Sequence, residues 1–341
     1  MTRDKFTIKF TRPVVSNKQG LQLSTPEIVA QYIAKRLKTK IIADLGCGIG
    51  GQVIFLGKEC EKVYAVERDV EKLEYAKKNC ELYKVNNVEF ILGDALSQEV
   101  KNKIKDADII FSDPARTLSE KERTLSDLEP PILEVIKMYS DITSDLAFHA
   151  PPQIRSERIT FDCEREYLSL NGQLNRLTLY LGALKRCDRS AVVLPGGERL
   201  SSSDAVPIQD NPPCKYVYEP EPSIVKAGLL NELAQDMAEK GKKIFFCKGD
   251  EKRTLLTSSL LLESPFLKDR YLFLRKTEMD LVNLKKVLNF EKARSVVLRL
   301  DIEPQEYWDF RNLLERGLAG NRTLHVFGFG NEALICEKIK T

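Results

Sequence analysis

Histidine is scarce in this 341-residue chain, with two residues, and none of its eight cysteines belongs to a Cys-x-x-Cys pair. Zinc sites and disulfide frameworks need clusters or regular spacings of these residues, so both classes are disfavoured. No stretch approaches the roughly 20 apolar residues of a membrane-spanning helix, and residues 1–5 lack the apolar region of a signal peptide. We therefore expect a cytoplasmic protein without a membrane or metal partner.

A strong charge of either sign is also lacking, because 53 basic residues face 50 acidic ones and leave a net charge of +3. This balance does not by itself indicate nucleic-acid binding, and it does not exclude binding through a local basic patch. The length fits one Rossmann-type domain plus a smaller second domain. Hydrophobic residues make up 43% of the chain, which is ample for two ordinary cores.

A glycine-rich segment at residues 44–51, Asp-Leu-Gly-Cys-Gly-Ile-Gly-Gly, is the most informative part of the sequence. It follows the apolar run at 41–43 and precedes the apolar run at 53–56. This order predicts a strand, a glycine turn and a helix, as in a parallel α/β sheet. Glycines there allow close approach of a cofactor because no Cβ intervenes.

Carboxylates follow the predicted strands at regular intervals. Asp44 lies at the end of the first strand, Glu67 ends a strand at 63–66, Asp94 follows a strand at 88–92, and Asp113 follows a strand at 107–112. The carboxyl ends of parallel strands share one edge of a sheet, which is where such folds bind ligands. The four acids therefore predict a nucleoside-cofactor site, with Glu67 placed to accept ribose hydroxyls and Asp94 to accept an adenine amine.

Two cofactors compete for this site. Gly46-x-Gly48-x-x-Gly51 matches the dinucleotide fingerprint, which leaves a nicotinamide oxidoreductase open. Asp44 argues against that interpretation, since a carboxylate there would face a pyrophosphate. Beside the ammonium and sulfonium of S-adenosylmethionine the same carboxylate is favourable.

Residues 20–116 resemble the class I S-adenosylmethionine-dependent methyltransferases, and within them the trimethylguanosine synthase-like group that methylates the cap guanine at N2. Three stretches carry the resemblance: residues 23–27, 44–51 and 65–79. The resemblance implies S-adenosyl-L-methionine as cofactor and a Rossmann-like sheet. The residues expected to bind the cofactor are Thr25, Asp44, Gly46, Gly48, Gly50, Glu67, Arg68, Asp94, Ala95 and Asp113.

Asp113-Pro114-Ala115-Arg116 stands where that group has Pro-Pro-Trp. We expect Asp113, stiffened by Pro114, to accept a hydrogen bond from a base nitrogen, and Arg116 to stack on a base or bind phosphate. The alternative for Asp113 is a loop-supporting or cofactor-binding role. The same four residues resemble the fourth motif of RNA 5-methyluridine methyltransferases. Those enzymes need a cysteine nucleophile after the fifth strand, where this chain has Phe148-His149-Ala150-Pro151-Pro152.

The remaining chain predicts an α/β methyltransferase domain over residues 1–205 and a smaller α+β domain over 214–341. Thr25 is expected to cap a helix that has Pro26 in its first turn, and helices are expected at 173–185 and 222–239. A polar stretch at 118–127 is expected to cover the site. The phrase at 218–228, Tyr-Glu-Pro-Glu-Pro-Ser-Ile-Val-Lys-Ala-Gly, resembles the junction before a THUMP-like, ferredoxin-like module. That resemblance implies a module which holds RNA, while a scaffold domain stays an alternative.

The sequence thus predicts an S-adenosylmethionine-dependent methyltransferase that acts on a base nitrogen of RNA, such as tRNA or rRNA. Two alternatives stay open besides the oxidoreductase. One is a protein or small-molecule methyltransferase, and the other is a non-catalytic binding module on a methyltransferase fold. The sequence does not determine the target atom or the oligomeric state.

Overall fold

The computed structural model describes residues 9–116, 125–247 and 253–340. The polypeptide divides into two compact units, Met1–Arg199 and Leu200–Thr341. Within the described ranges no helix combines the length and apolar character needed to cross a bilayer.

The first unit is an α/β structure. Its helices are α1 (Lys18–Leu23), α2 (Glu27–Arg36), α3 (Val53–Glu59), α4 (Val70–Leu82), α5 (Gln98–Lys103) and α6 (Ile132–Tyr139). Its strands are β1 (Ile41–Leu45), β2 (Lys62–Glu67), β3 (Val88–Leu92), β4 (Ile109–Ser112), β5 (Ala115–Arg116), β6 (Leu128–Glu129), β7 (Leu146–Ala150), β8 (Glu164–Leu170), β9 (Gln173–Tyr180) and β10 (Arg189–Leu194). One further strand of its sheet, β11 (Glu198–Ser201), ends two residues past the boundary at Arg199.

Nine of these strands form one sheet in the order β11-β10-β8-β9-β7-β4-β1-β2-β3. The five strands from β7 to β3 are parallel, so their carboxyl ends lie at a common edge. Strands β4 and β7 are buried along their whole length, as expected for parallel strands covered on both faces. The predicted Rossmann-like α/β fold is confirmed.

Strand β9 corrects the helix predicted at 173–185. Asn171 and Gly172 both have positive φ angles, 51° and 72°, and form the tight turn of a hairpin between β8 and β9. The hairpin inserts β9 antiparallel to both β8 and β7. Hydrogen-bonded pairing of β9 with a strand on each side outweighs the local helical preference of this segment, as tertiary context often does. The insertion also brings the amino-terminal half of β9 to the edge where the parallel strands end.

A buried ionic cluster connects α2 with the outer strands of this sheet. Glu164 accepts hydrogen bonds from Arg36 at 3.1 Å and from Arg199 at 2.6 Å. Glu166 lies 3.2 Å from Arg199 and accepts from the hydroxyl groups of two tyrosines. Buried charges need partners of opposite charge because desolvation of each ion costs several kcal/mol. The cluster therefore fixes the position of α2, whose amino terminus reaches the carboxyl edge of the sheet.

The second unit is an α+β structure with one seven-stranded sheet. Its helices are α7 (Pro222–Ala227), α8 (Leu230–Glu239), α9 (Leu281–Phe290) and α10 (Pro304–Glu315). Its strands are β12 (Tyr216–Pro220), β13 (Phe245–Cys247), β14 (Leu255–Ser258), β15 (Leu267–Glu278), β16 (Ala293–Arg299), β17 (Arg322–Phe329) and β18 (Glu332–Lys338). The sheet order is β13-β14-β12-β15-β18-β17-β16.

Two details of the second unit differ from the sequence-based expectation. The helix expected over 222–239 is interrupted at Gly228, whose φ of 66° ends α7 before α8 begins. The elements from β15 to β18 follow the order β-α-β-α-β-β, whereas a ferredoxin-like module has the order β-α-β-β-α-β. The predicted α+β class of a second sheet domain is confirmed, and its THUMP-like character stays a prediction.

Candidate active site

The glycine turn lies between β1 and α3 at the carboxyl edge of the first unit's sheet. Gly46, Gly48 and Gly50 have φ angles of 86°, 56° and 80°, a region that favours glycine. The backbone amides of Gly46 and Cys47 both donate to the Val66 carbonyl at 2.9 Å, which ties the turn to β2. A Cβ built on Gly46 or Gly48 would meet no described atom within 4 Å. The turn therefore presents bare backbone toward open space, as a close-fitting cofactor requires.

Gly50 differs from the other two glycines. A Cβ at this position would lie 3.0 Å from both the Cα and the Cβ of Ala76 in α4. Gly50 thus packs the turn against a helix, and the cofactor contact expected of it from the sequence stays a prediction.

A Gly50→Ala substitution should accordingly lower the free energy of unfolding by about 1–3 kcal/mol, because it adds a strained φ to a backbone contact. Thermal unfolding without ligand measures this effect. Gly241→Ala is the matched control, since that residue has a φ of 71° and no described atom within 4 Å of its Cβ position. Equal losses in the two variants would show that the Ala76 contact contributes nothing.

Glu67, the last residue of β2, is buried and stabilises the glycine turn through hydrogen bonds. Its Oε2 accepts from the Gly48 amide at 2.8 Å, and its Oε1 accepts from the amides of Arg68 and Asp69 at 3.0 and 3.1 Å. The side chain of Arg68 is exposed and pairs with Glu129. Arg68 thus contributes its backbone amide to this arrangement, and its guanidinium lies at the surface.

Asp44 is buried within β1, between Ala65 of β2 and Phe111 of β4. Its side chain is 1% exposed, and no described residue forms a hydrogen bond with its Oδ2. Burial raises the pKa of Asp44 well above its ordinary value, and the nearby carboxylates of Asp113 and Glu67 raise it further. A buried acceptor without a partner is costly. It fits a cationic ligand group, and the ammonium of S-adenosylmethionine is such a group.

Asp94 and Ala95 follow β3 on the same edge. Asp94 is exposed, and its Oδ1 accepts from the Leu96 amide at 2.8 Å. Ala95 is buried, and its carbonyl accepts from the hydroxyl of Tyr139 in α6. The Asp94 carboxylate is therefore accessible to a ligand at this edge of the sheet, while a hydrogen bond fixes the backbone of Ala95 beside it.

Asp113 directly follows β4 and binds two side chains through one oxygen. Its Oδ2 accepts from Arg176 Nη1 at 2.8 Å and from Thr25 Oγ1 at 3.3 Å. Its Oδ1 accepts no hydrogen bond from the described residues, and the side chain is 34% exposed. Burial alone would raise the pKa of Asp113, but the charge and hydrogen bond of Arg176 outweigh it and hold the pKa below its ordinary value. Asp113 therefore offers an ionised, unoccupied acceptor oxygen.

Thr25 does not cap α2 as the sequence had suggested. The residue before the helix is Pro26, which makes no side-chain cap, and the Thr25 hydroxyl turns to Asp113 instead. Pro114 is buried behind Asp113. The backbone of Arg116 belongs to β5, but its side chain lies outside the described part of the chain. So do residues 118–124 of the cover expected at 118–127.

His149, near the end of β7, is buried against this site. Its Nδ1 lies 3.1 Å from Thr178 Oγ1, and its Nε2 has no hydrogen-bond partner within the described ranges. Burial lowers the pKa of His149 to about 3, and the charge of Arg176 contributes to the shift. The imidazole is therefore neutral at physiological pH and is a weak base.

Arg176 is the functional residue that sequence reasoning missed. It lies on β9, where Leu177 pairs with Ala150 at the end of β7, so its side chain reaches the edge that carries Asp113. The Asn171-Gly172 turn was a usable signal, because a strand after that turn would have placed Arg176 at this edge. The assumption of a helix removed that possibility.

The fold and the site together define a class I methyltransferase, and comparisons with known proteins agree. A family model for RNA cap guanine-N2 methyltransferases matches residues 39–183. An uncharacterized S-adenosylmethionine-dependent methyltransferase of Mycobacterium tuberculosis H37Rv is 23% identical over 262 residues, which cover 74% of this chain and 71% of the relative. The chain is an S-adenosylmethionine-dependent methyltransferase of class I, and S-adenosylmethionine is its cofactor.

Other known proteins are similar to shorter parts of this chain or share its fold. An uncharacterized RNA methyltransferase of Oceanobacillus iheyensis is 40% identical over 81 residues, covering 23% of this chain and 18% of the relative. A tRNA/tmRNA (uracil-C(5))-methyltransferase of Campylobacter lari is 29% identical over 117 residues, covering 32% and 33%. A crystal structure from Porphyromonas gingivalis W83, described as a methyltransferase, superposes with a TM-score of 0.76 at 19% identity and covers 96% of this chain and 84% of that one. This last similarity shows a shared fold.

Proposed function

We propose that this methyltransferase transfers the methyl group to a base nitrogen in RNA, such as tRNA or rRNA. The observation that carries the proposal is Asp113 Oδ1, an ionised acceptor at the strand end beside the glycine turn that no described residue occupies. The cap guanine-N2 family model and the relatives named as RNA methyltransferases support the choice of RNA.

For the cofactor we propose the carboxyl edge of the first unit as the binding site. Asp44 would hold the ammonium group, Glu67 the ribose hydroxyls and Asp94 the adenine amine, with Gly46 and Gly48 in close backbone approach. Arg68 and Ala95 would take part through backbone groups. Thr25 and Arg176 both bind Asp113, so we assign them to positioning that carboxylate.

S-adenosylmethionine supplies a methyl group that is already activated by its bond to a sulfonium. The chain's own task is to place the acceptor, and orientation alone supplies on the order of 7–11 kcal/mol in such reactions. Asp113 Oδ1 would accept a hydrogen bond from the target nitrogen and so fix the direction of the nitrogen lone pair. Since Arg176 lowers the pKa of Asp113, the carboxylate stays an acceptor across the physiological pH range.

A carbon target, such as uracil C5, fits these residues less well. Covalent activation of that ring needs a thiolate nucleophile, and Pro151 and Pro152 follow β7 where it would be required. The nearest cysteine downstream, Cys163, is 6% exposed, and burial raises its pKa to about 11. We therefore favour nitrogen.

Radiolabelled S-adenosylmethionine incubated with total RNA and, separately, with total protein tests the proposal. We expect label in RNA, and digestion to nucleosides should place that label in an N-methylated base. Asp141→Asn is the control for substitutions of Asp113, because Asp141 is exposed and its described ion-pair partner is Lys101. Label confined to protein would contradict the RNA assignment, and label in 5-methyluridine would contradict the nitrogen assignment.

A further inference from the structure

The second unit contains a cleft of about 760 Å³ that the methyl-transfer chemistry does not use. One wall is helix α10, and the opposite wall is formed by the segments that follow β16 and β17. Its apolar lining includes Ile302, Phe310 and Leu313, and its acidic lining is Asp301, Glu306 and Asp309. The lining of the cleft therefore combines apolar side chains with negatively charged ones.

Most residues of helix α10 are exposed or half-buried, although the helix packs on a sheet. Of its 12 residues, Leu314 is the buried one. Leu313, one position before it, is 45% exposed on the side of the cleft. Exposed apolar area rimmed by polar residues is characteristic of interaction sites.

The charge of the cleft identifies the kind of partner. No lysine, arginine or histidine belongs to the lining that the structure describes. Glu306 and Asp309 form no ion pair within the described ranges, so both keep their charge available. An RNA backbone would be repelled here, whereas lysine and arginine side chains would be attracted.

We propose that this acidic cleft binds a cationic, amphipathic segment of a partner protein. Apolar side chains of the segment, spaced as on one face of a helix, would pack on Phe310 and Leu313. Its lysine or arginine side chains would lie against Glu306 and Asp309. Helix-in-groove recognition uses this division, in which apolar anchors supply affinity and charge supplies selectivity.

Trp308 gives a fluorescence readout from the helix that lines the cleft, because it is the chain's single tryptophan and lies 59% exposed on α10. The probe is a 12-residue peptide with leucine at helical i, i+3, i+4 spacing and lysine elsewhere, added to the full chain while Trp308 fluorescence is recorded. We expect saturable binding. A matched peptide with glutamate in place of lysine should bind at least tenfold more weakly.

Charge reversal of the cleft, Glu306→Lys with Asp309→Lys, should weaken binding of the lysine peptide at least tenfold. Asp204→Lys, an exposed acid outside the cleft, is the control and should leave binding within about twofold. Circular dichroism melting confirms that each variant is folded. Absence of binding, or equal binding of both peptides, would overturn the proposal. None of these measurements depends on cofactor or on methyl transfer.

Discussion

Asp113→Asn is expected to lower the rate of methyl transfer by about 10²-fold or more, because misplacement of the reacting atoms alone costs that much. The geometry explains why even this isosteric change is severe. Arg176 and Thr25 both donate to Oδ2, so the amide oxygen of asparagine would take that position. The amide NH₂ group would then replace Oδ1 and present a donor where the target nitrogen needs an acceptor.

Cofactor binding should survive the same substitution. Calorimetry with S-adenosylhomocysteine is expected to give an affinity within about tenfold of the original, or about 1.4 kcal/mol. Single-turnover transfer to RNA measures the chemical step in parallel, and Asp141→Asn should change neither quantity. A large loss of S-adenosylhomocysteine affinity would reassign Asp113 as a cofactor ligand.

The sheet edge was predictable from the sequence because its signals are local. A buried strand, a glycine turn and an acid at the next strand end each reflect the residues of that segment, and β1, β2 and β3 all formed where expected. The parallel order then follows from the alternation of strands and helices. The sequence could therefore indicate which carboxylates share an edge.

The partners of Asp113 were not predictable in the same way, because they come from distant segments. Thr25 is 88 residues away and Arg176 is 63 residues away in the chain. Thr25 is a residue type that commonly caps helices and lies where a cap was expected, yet its hydroxyl donates to Asp113 Oδ2 instead. Arg176 reaches the site only because β9 runs antiparallel between two other strands, which is a property of the whole sheet.

Gly50 shows a further limit of reasoning from a motif. Three glycines in one turn share the positive φ, and the sequence gives no means of separating those that face a ligand from those that face a helix. Only the position of α4 makes this distinction, through the contact with Ala76. Strands β12, β13 and β14 went unpredicted for a related reason, since short strands take their stability from neighbours that pair with them.

Asp44→Asn should have opposite effects on the free protein and on its complex with the cofactor. In the folded protein, burial first and then the charges of Asp113 and Glu67 raise the pKa of Asp44 above its value in the unfolded chain. The folded state therefore binds a proton more readily, and stability falls as pH rises above the unfolded pKa. Above the unfolded pKa this carboxyl group therefore opposes folding, so the uncharged asparagine should raise the melting temperature of the ligand-free protein, by about 2–4 °C for each kcal/mol gained.

The same Asp44→Asn substitution should strongly weaken cofactor binding, because the buried ammonium group of the cofactor would lose its counter-ion. Truncation of one partner of such a pair typically costs about 2–5 kcal/mol, which corresponds to a loss of roughly 30-fold or more in S-adenosylhomocysteine affinity. Melting curves with and without S-adenosylhomocysteine record both effects, since a ligand at 100 times its Kd stabilises by about 2.7 kcal/mol. Glu89→Gln, at a surface pair with Lys62, is the control that should keep the full ligand shift. If Asp44→Asn kept that shift as well, the ammonium would have to lie elsewhere, and the electrostatic basis of the cofactor site would have to be revised.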